Sequence, residues 1–66
     1  MNSYIIQEYN AEMTIQYVET NMAFEEEIDA IAEAWKTANR EPARVAVLWK
    51  RSPLNRTRLV KIAKFY

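Results

Sequence analysis

The chain has no cysteine, no histidine and no glycine, and only two prolines in 66 residues. Without cysteine or histidine it can build neither a disulfide nor the usual zinc clusters. Without glycine it cannot form the phosphate-cradling loops of P-loop or dinucleotide-binding proteins. Catalysis has little to work with: there is no imidazole base, no thiol, and the two serines, Ser3 and Ser52, stand in no nucleophile motif. The sequence reads as a non-enzyme with no metal or cofactor. Long apolar runs are missing too; a run such as 45–49 is far too short to span a bilayer, so no membrane association is expected. The first residues lack the basic start and apolar block of a signal peptide, which leads us to expect a soluble cytoplasmic protein.

What is present is an apolar half with two tryptophans, four tyrosines and two phenylalanines, enough for one core. A folded chain of this size buries only about 60% of the surface its unfolded form exposes, so residues 1–66 make a single domain of modest stability. The net charge of zero hides a division. Residues 1–35 carry eight acids and no base, a charge of −8; residues 36–66 carry nine bases and the single acid Glu41, a charge of +8. Such a split either holds the two halves together or presents faces of opposite sign to partners.

Residues 4–9 and 13–18 are rich in β-branched and aromatic types, with Asn10 and Ala11 between them as a turn, and are predicted to form a hairpin. From 22 to 39 the apolar residues Phe24, Ile28, Ile31, Ala32, Trp35 and Ala38 recur at helical spacing, with Thr20 or Asn21 as N-cap. Two further strands, 44–50 and 58–65, flank a loop centred on Ser52, Pro53, Leu54 and Asn55. The order is ββαββ. The expected fold is α+β: a four-stranded antiparallel sheet with one helix packed on one face.

Strand parity places Tyr4, Ile6, Met13, Ile15 and Tyr17 on the face that meets the helix. Pairing Val47 with Val60 and Val45 with Ile62 puts those residues, Trp49 and Arg58 on the same inner side. The other face then collects an open apolar patch of Ile5, Tyr9, Leu48, Leu59 and Phe65, together with Ala63 and the bases Arg44, Lys50 and Lys61. Such a patch marks an association site and suggests a homodimer, unless the sheet curls enough to hide part of it.

Two charge clusters are candidate sites. Glu25, Glu26, Glu27 and Asp29 suit the positive end of the helix dipole, worth about 0.3–1 kcal/mol each, or form a patch that imitates phosphates or grips a basic surface. Lys50, Arg51, Arg56, Arg58 and Lys61 lie within 48–62 with no acid among them. They can neutralise phosphates, with Trp49, Phe65 and Tyr66 available to stack on unpaired bases. They can equally guard a strand edge against aggregation.

The opening strand Ser3-Tyr4-Ile5-Ile6-Gln7-Glu8, the small size, the split charge and the ββαββ order resemble a β-rich, single-helix kind of anti-CRISPR protein carried by phages. First strands of that kind also begin with an aromatic followed by two isoleucines. The resemblance implies a stoichiometric inhibitor that binds a host protein or nucleoprotein defence complex and blocks its access to DNA; it carries over no functional residue. A direct single-stranded nucleic-acid-binding module and a small structural subunit that dimerises through its open sheet face stay open beside it.

Overall fold

The computed structural model describes residues 1–40, 42–54 and 56–65. Glu41, Asn55 of the expected loop and Tyr66 of the expected stacking set lie outside the described residues. Strands β1 (Asn2–Tyr9), β2 (Gln16–Phe24), β3 (Val45–Arg51) and β4 (Thr57–Lys64) form one antiparallel sheet in the order β2-β1-β3-β4, with helix α1 (Glu27–Ala38) between β2 and β3. The ββαββ fold expected from the sequence is what the chain adopts. The first strand is an inner one, and the helix carries the chain over β1 from one edge to its far neighbour.

The first hairpin is wider than the sequence suggested. Tyr4 pairs with Met22, Ile6 with Thr20 and Tyr9 with Gln16, well beyond a turn at Asn10 and Ala11. Residues 10–15 therefore form a turn. Asn10 organises it through its side chain, whose Oδ1 accepts the N–H groups of Thr14 at 2.8 Å and Ile15 at 2.9 Å. The left-handed residue is Met13, at φ 58°, so the turn uses a conformation that costs a non-glycine residue about 1–2 kcal/mol. Met13, Ile15 and Tyr17 are exposed and take no part in the core.

Residues 22–24, expected in the helix, complete β2. Phe24 pairs with Asn2 and sets its ring edge-on against Tyr4 at 6.0 Å. The Asn2 amide donates to the Glu25 carbonyl at 3.2 Å, which ties down the exit from the strand. The helix consequently starts at Glu27 behind Glu26, not behind Thr20 or Asn21.

The buried stripe of the helix is also different. Ala30, Ala34, Thr37 and Ala38 face the sheet, while Ile28, Ala32 and Trp35 are exposed. Small side chains let the helix lie close to the sheet, and Thr37 satisfies its buried hydroxyl by donating to the Glu33 carbonyl at 2.9 Å. The core beneath is Tyr4, Ile6, Ala46, Leu48 and Ala63, with Met22, Phe24, Ile31 and Val60 at its margin.

The second hairpin therefore turns the opposite way from expectation. β1 sets Ile6 against Leu48, which brings Leu48 and Ala63 onto the helix side. Val47 pairs with Ile62 and Val45 with Lys64, not with Val60 and Ile62. A bulge after Leu48 then pairs Trp49 with Leu59 and Lys50 with Arg58. By this register Val45, Val47, Trp49 and Ile62 lie on the outer face with Ile5, Tyr9 and Leu59. Leu48 thus leaves the proposed open patch, and Phe65 lies beyond the end of β4, where its N–H donates to the Arg44 carbonyl at 2.8 Å.

Tyr4 is fully buried, and its hydroxyl finds no hydrogen-bond partner among the described residues. Burial pushes its phenol above the ordinary 10.0, Glu27 adds to the rise, and Arg58 and Asn2 oppose it. A raised acid favours the neutral ring in the fold, so this contribution is complete below the unfolded value and is lost as pH climbs through the folded one. Tyr4→Phe is expected to match the parent or exceed it by about 1 kcal/mol at neutral pH, and to lose stability less steeply above pH 10. Urea melts of both proteins at about pH 7 and pH 11 test this.

Candidate functional site

The second hairpin carries its charges to one end of the sheet. Antiparallel pairing sets Ser3 of β1 beside Arg51 of β3, and Arg51 beside Thr57 of β4. The connecting loop is held by the Ser52 N–H donating to the Arg56 carbonyl at 2.7 Å, and the Ser52 hydroxyl accepts from the N–H groups of Leu54 and Arg56 at 3.3 Å each. Between these segments runs an open groove of about 660 Å³. Lys50, Arg51, Arg56 and Arg58 line it with Asn2, Ser3, Ser52 and Thr57, and no acid lines it among the described residues. Cations and short hydroxyl or amide donors on one concave surface are the chemistry that binds phosphate or carboxylate oxygens.

Four of the five basic candidates converge there, and the fifth does not. Lys61 lies on the helix side, its Nζ 5.4 Å from the centre of the Trp35 ring. Arg58 is partly engaged: its Nη2 donates to Glu27 Oε1 at 3.0 Å, and both side chains are open to solvent. An exposed pair of this kind contributes at most about 1 kcal/mol, so a stronger anion can displace Glu27. Lys50, Arg51 and Arg56 have no ion-pair partner among the described residues.

The acidic candidates divide likewise. Glu27 faces Arg58, while Glu25, Glu26 and Asp29 are exposed around the start of the helix, where the dipole favours them. Glu27–Arg58 is the single ion pair between the acidic and basic halves among the described residues. The charge division of the sequence thus survives folding as two surfaces.

Of the residues expected to stack on bases, Trp49 and Phe65 are elsewhere. Trp49 is on the outer face, where its Nε1 donates to Gln7 Oε1 at 2.9 Å. Phe65 lies at the opposite end of the sheet from the groove, beside Arg44. Of the open-face patch, Leu59 and Phe65 are about half exposed, Tyr9 is partly covered and Ile5 is buried. β4 is an edge strand, so Arg58, Lys61 and Lys64 also keep that edge from pairing with another chain.

Sequence reasoning missed Asn2, Ser3 and Thr57 as groove residues. They are brought in by the pairing of β1 with β3, which short-range pattern does not reveal. Among the described residues no group of three or more acids could hold a metal ion, and no helix is long and apolar enough to cross a membrane. No protein-family model, curated protein or solved structure matches the chain.

Proposed function

We propose that the protein acts by binding, as a small phage-type inhibitor that lays its basic groove on an anionic surface of a host protein or nucleoprotein defence complex. The observation that carries this reading is the convergence of Lys50, Arg51, Arg56 and Arg58 on one groove that no acid lines among the described residues. The similarity of the opening strand to anti-CRISPR proteins supplies the setting. Among the described residues no aromatic lines the groove, which speaks against a free single-stranded nucleic acid, whose binders depend on stacked bases.

The test is Arg51→Glu/Arg56→Glu. Reversing two charges leaves the core untouched, because both side chains are exposed. The parent should bind a purified nucleoprotein defence complex with an affinity that falls steeply with salt, and the double variant should bind it at least about tenfold more weakly with a shallower salt slope. Equal affinity of parent and variant would remove the groove from the contact. Tight binding of a labelled bare oligonucleotide, as strong as binding to the complex, would replace the inhibitor reading by direct nucleic-acid binding.

A further inference from the structure

The helix of this protein buries alanines and exposes its large apolar side chains. At about 100° per residue, Ile28, Ala32 and Trp35 fall on one narrow stripe, roughly opposite Ala30, Ala34 and Ala38. Ile28 is 69% exposed and Trp35 is 40% exposed. In a domain this small, leaving most of an isoleucine and part of a tryptophan in water forgoes apolar burial that a partner surface would supply. Lys61 sets its Nζ over the Trp35 ring, 5.4 Å from its centre. A seam of this composition is the pattern of an interface, where tryptophan is enriched.

We infer that the occupant of this seam is a second copy of the chain, its helix packed antiparallel about a two-fold axis at Ala32. Ala32 is the small residue at the middle, so the two helices can approach closely there. In that arrangement Ile28 of each copy meets Trp35 of the other. The flanking charges also match. Asp29 and Lys36 lie on the same side of the seam by helical phase, on either side of Ala32, and neither has an ion-pair partner among the described residues. Antiparallel pairing brings each Asp29 beside the other copy's Lys36, and sets the acidic start of each helix against the end that carries Lys36. A parallel pair would instead set each Asp29 against the other copy's Ile28 and leave Lys36 about two turns away along the axis. The complementarity is therefore of the chain with itself.

The geometry leaves both basic grooves and both outer sheet faces uncovered, so the dimer does not depend on the function proposed for the groove. One 12-residue helix supplies less than the about 800 Å² per partner of a standard interface, so the expected dissociation constant is about 10–100 µM. The rival surface, the outer face of the sheet, is partly closed by its own contacts: Val45 and Val47 are buried and Trp49 is bonded to Gln7.

Sedimentation equilibrium of the full chain up to about 1 mM decides the matter. The parent should show twice the monomer mass, Ala32→Glu should be monomeric with an unchanged circular dichroism spectrum, and Leu59→Lys should remain dimeric. Because the chain has no cysteine, Ala32→Cys introduces a single thiol at the axis, and it should oxidise to a disulfide dimer at least tenfold faster than Leu54→Cys on the exposed loop. A monomeric parent at the highest concentration overturns the inference. So does a dimer that persists in Ala32→Glu but dissociates in Leu59→Lys, which would move the interface to the sheet. Equal oxidation rates for the two cysteine variants would overturn it even if Ala32→Glu failed to fold.

Discussion

Leu48→Ala is expected to lower the stability of the domain by about 2–5 kcal/mol, and Leu59→Ala by about 1 kcal/mol or less. Both are leucines of the same hairpin. Leu48 is completely buried between the helix and Ile6, whereas Leu59 lies on the outer face at 46% exposure. Removing Leu48 leaves a cavity whose walls are strands in register, which cannot collapse far to fill it. A domain of 66 residues has a total stability of about 3–10 kcal/mol at usual values per residue. The loss is thus a large share of the whole, and Leu48→Lys, which strands a charge in the same place, should not fold at all. Urea titration followed by circular dichroism measures both alanine variants. Equal losses at the two sites would mean that the hairpin presents its other face to the helix.

Ala34→Leu should be nearly as damaging, at about 1–3 kcal/mol, although leucine is almost as good a helix former as alanine. Ala34 has no exposed surface and sits in the middle of the stripe that touches the sheet. Three additional carbons there must push the helix away from Ala46, Leu48 and Ala63 or force side chains off their rotamers. Ala32→Leu, two residues away on the solvent side, should change stability by about 0.5 kcal/mol or less when measured in dilute solution. Thermal melts of the pair check the prediction. A tolerated leucine at 34 would show that the helix does not rest on its alanines.

The contrast between these two alanines shows what was legible in the sequence and what was not. The number, type and order of elements could be read, because β-branched and aromatic runs alternate with one helical repeat. The helix face could not. Both stripes of α1 repeat with helical period, and a reading weighted by hydrophobicity chooses Ile28 and Trp35 over Ala30 and Ala34. The start of the helix was hidden for a related reason: Met22 and Phe24 continue the helical spacing, but pairing with Tyr4 and Asn2 overrides it. The face of the second hairpin depended on which residue of β3 meets Ile6, and a shift of one residue inverts every side chain. The basic groove was more visible. Its cations are close in sequence on a single hairpin and so stay together in space whichever way that hairpin faces; only Lys61, further along β4, was assigned to the wrong company.

The position of β1 has a kinetic consequence. It is the first strand in the chain and an inner strand of the sheet. Its contact with β2 closes over a short turn, an event of about 1–10 µs for a hairpin. Its contact with β3 spans far more chain, as the bond between Gln7 and Trp49 shows across 42 residues. Loop closure of that length must be met before any of its hydrogen bonds or buried leucine contacts repay it. The expected rate-limiting event of folding is therefore the docking of the two hairpins along β1, an acidic half arriving against a basic one, which slower folding of a variant weakened at the β1–β3 contact would show. Until then a strand that ends inside the sheet is a bare edge.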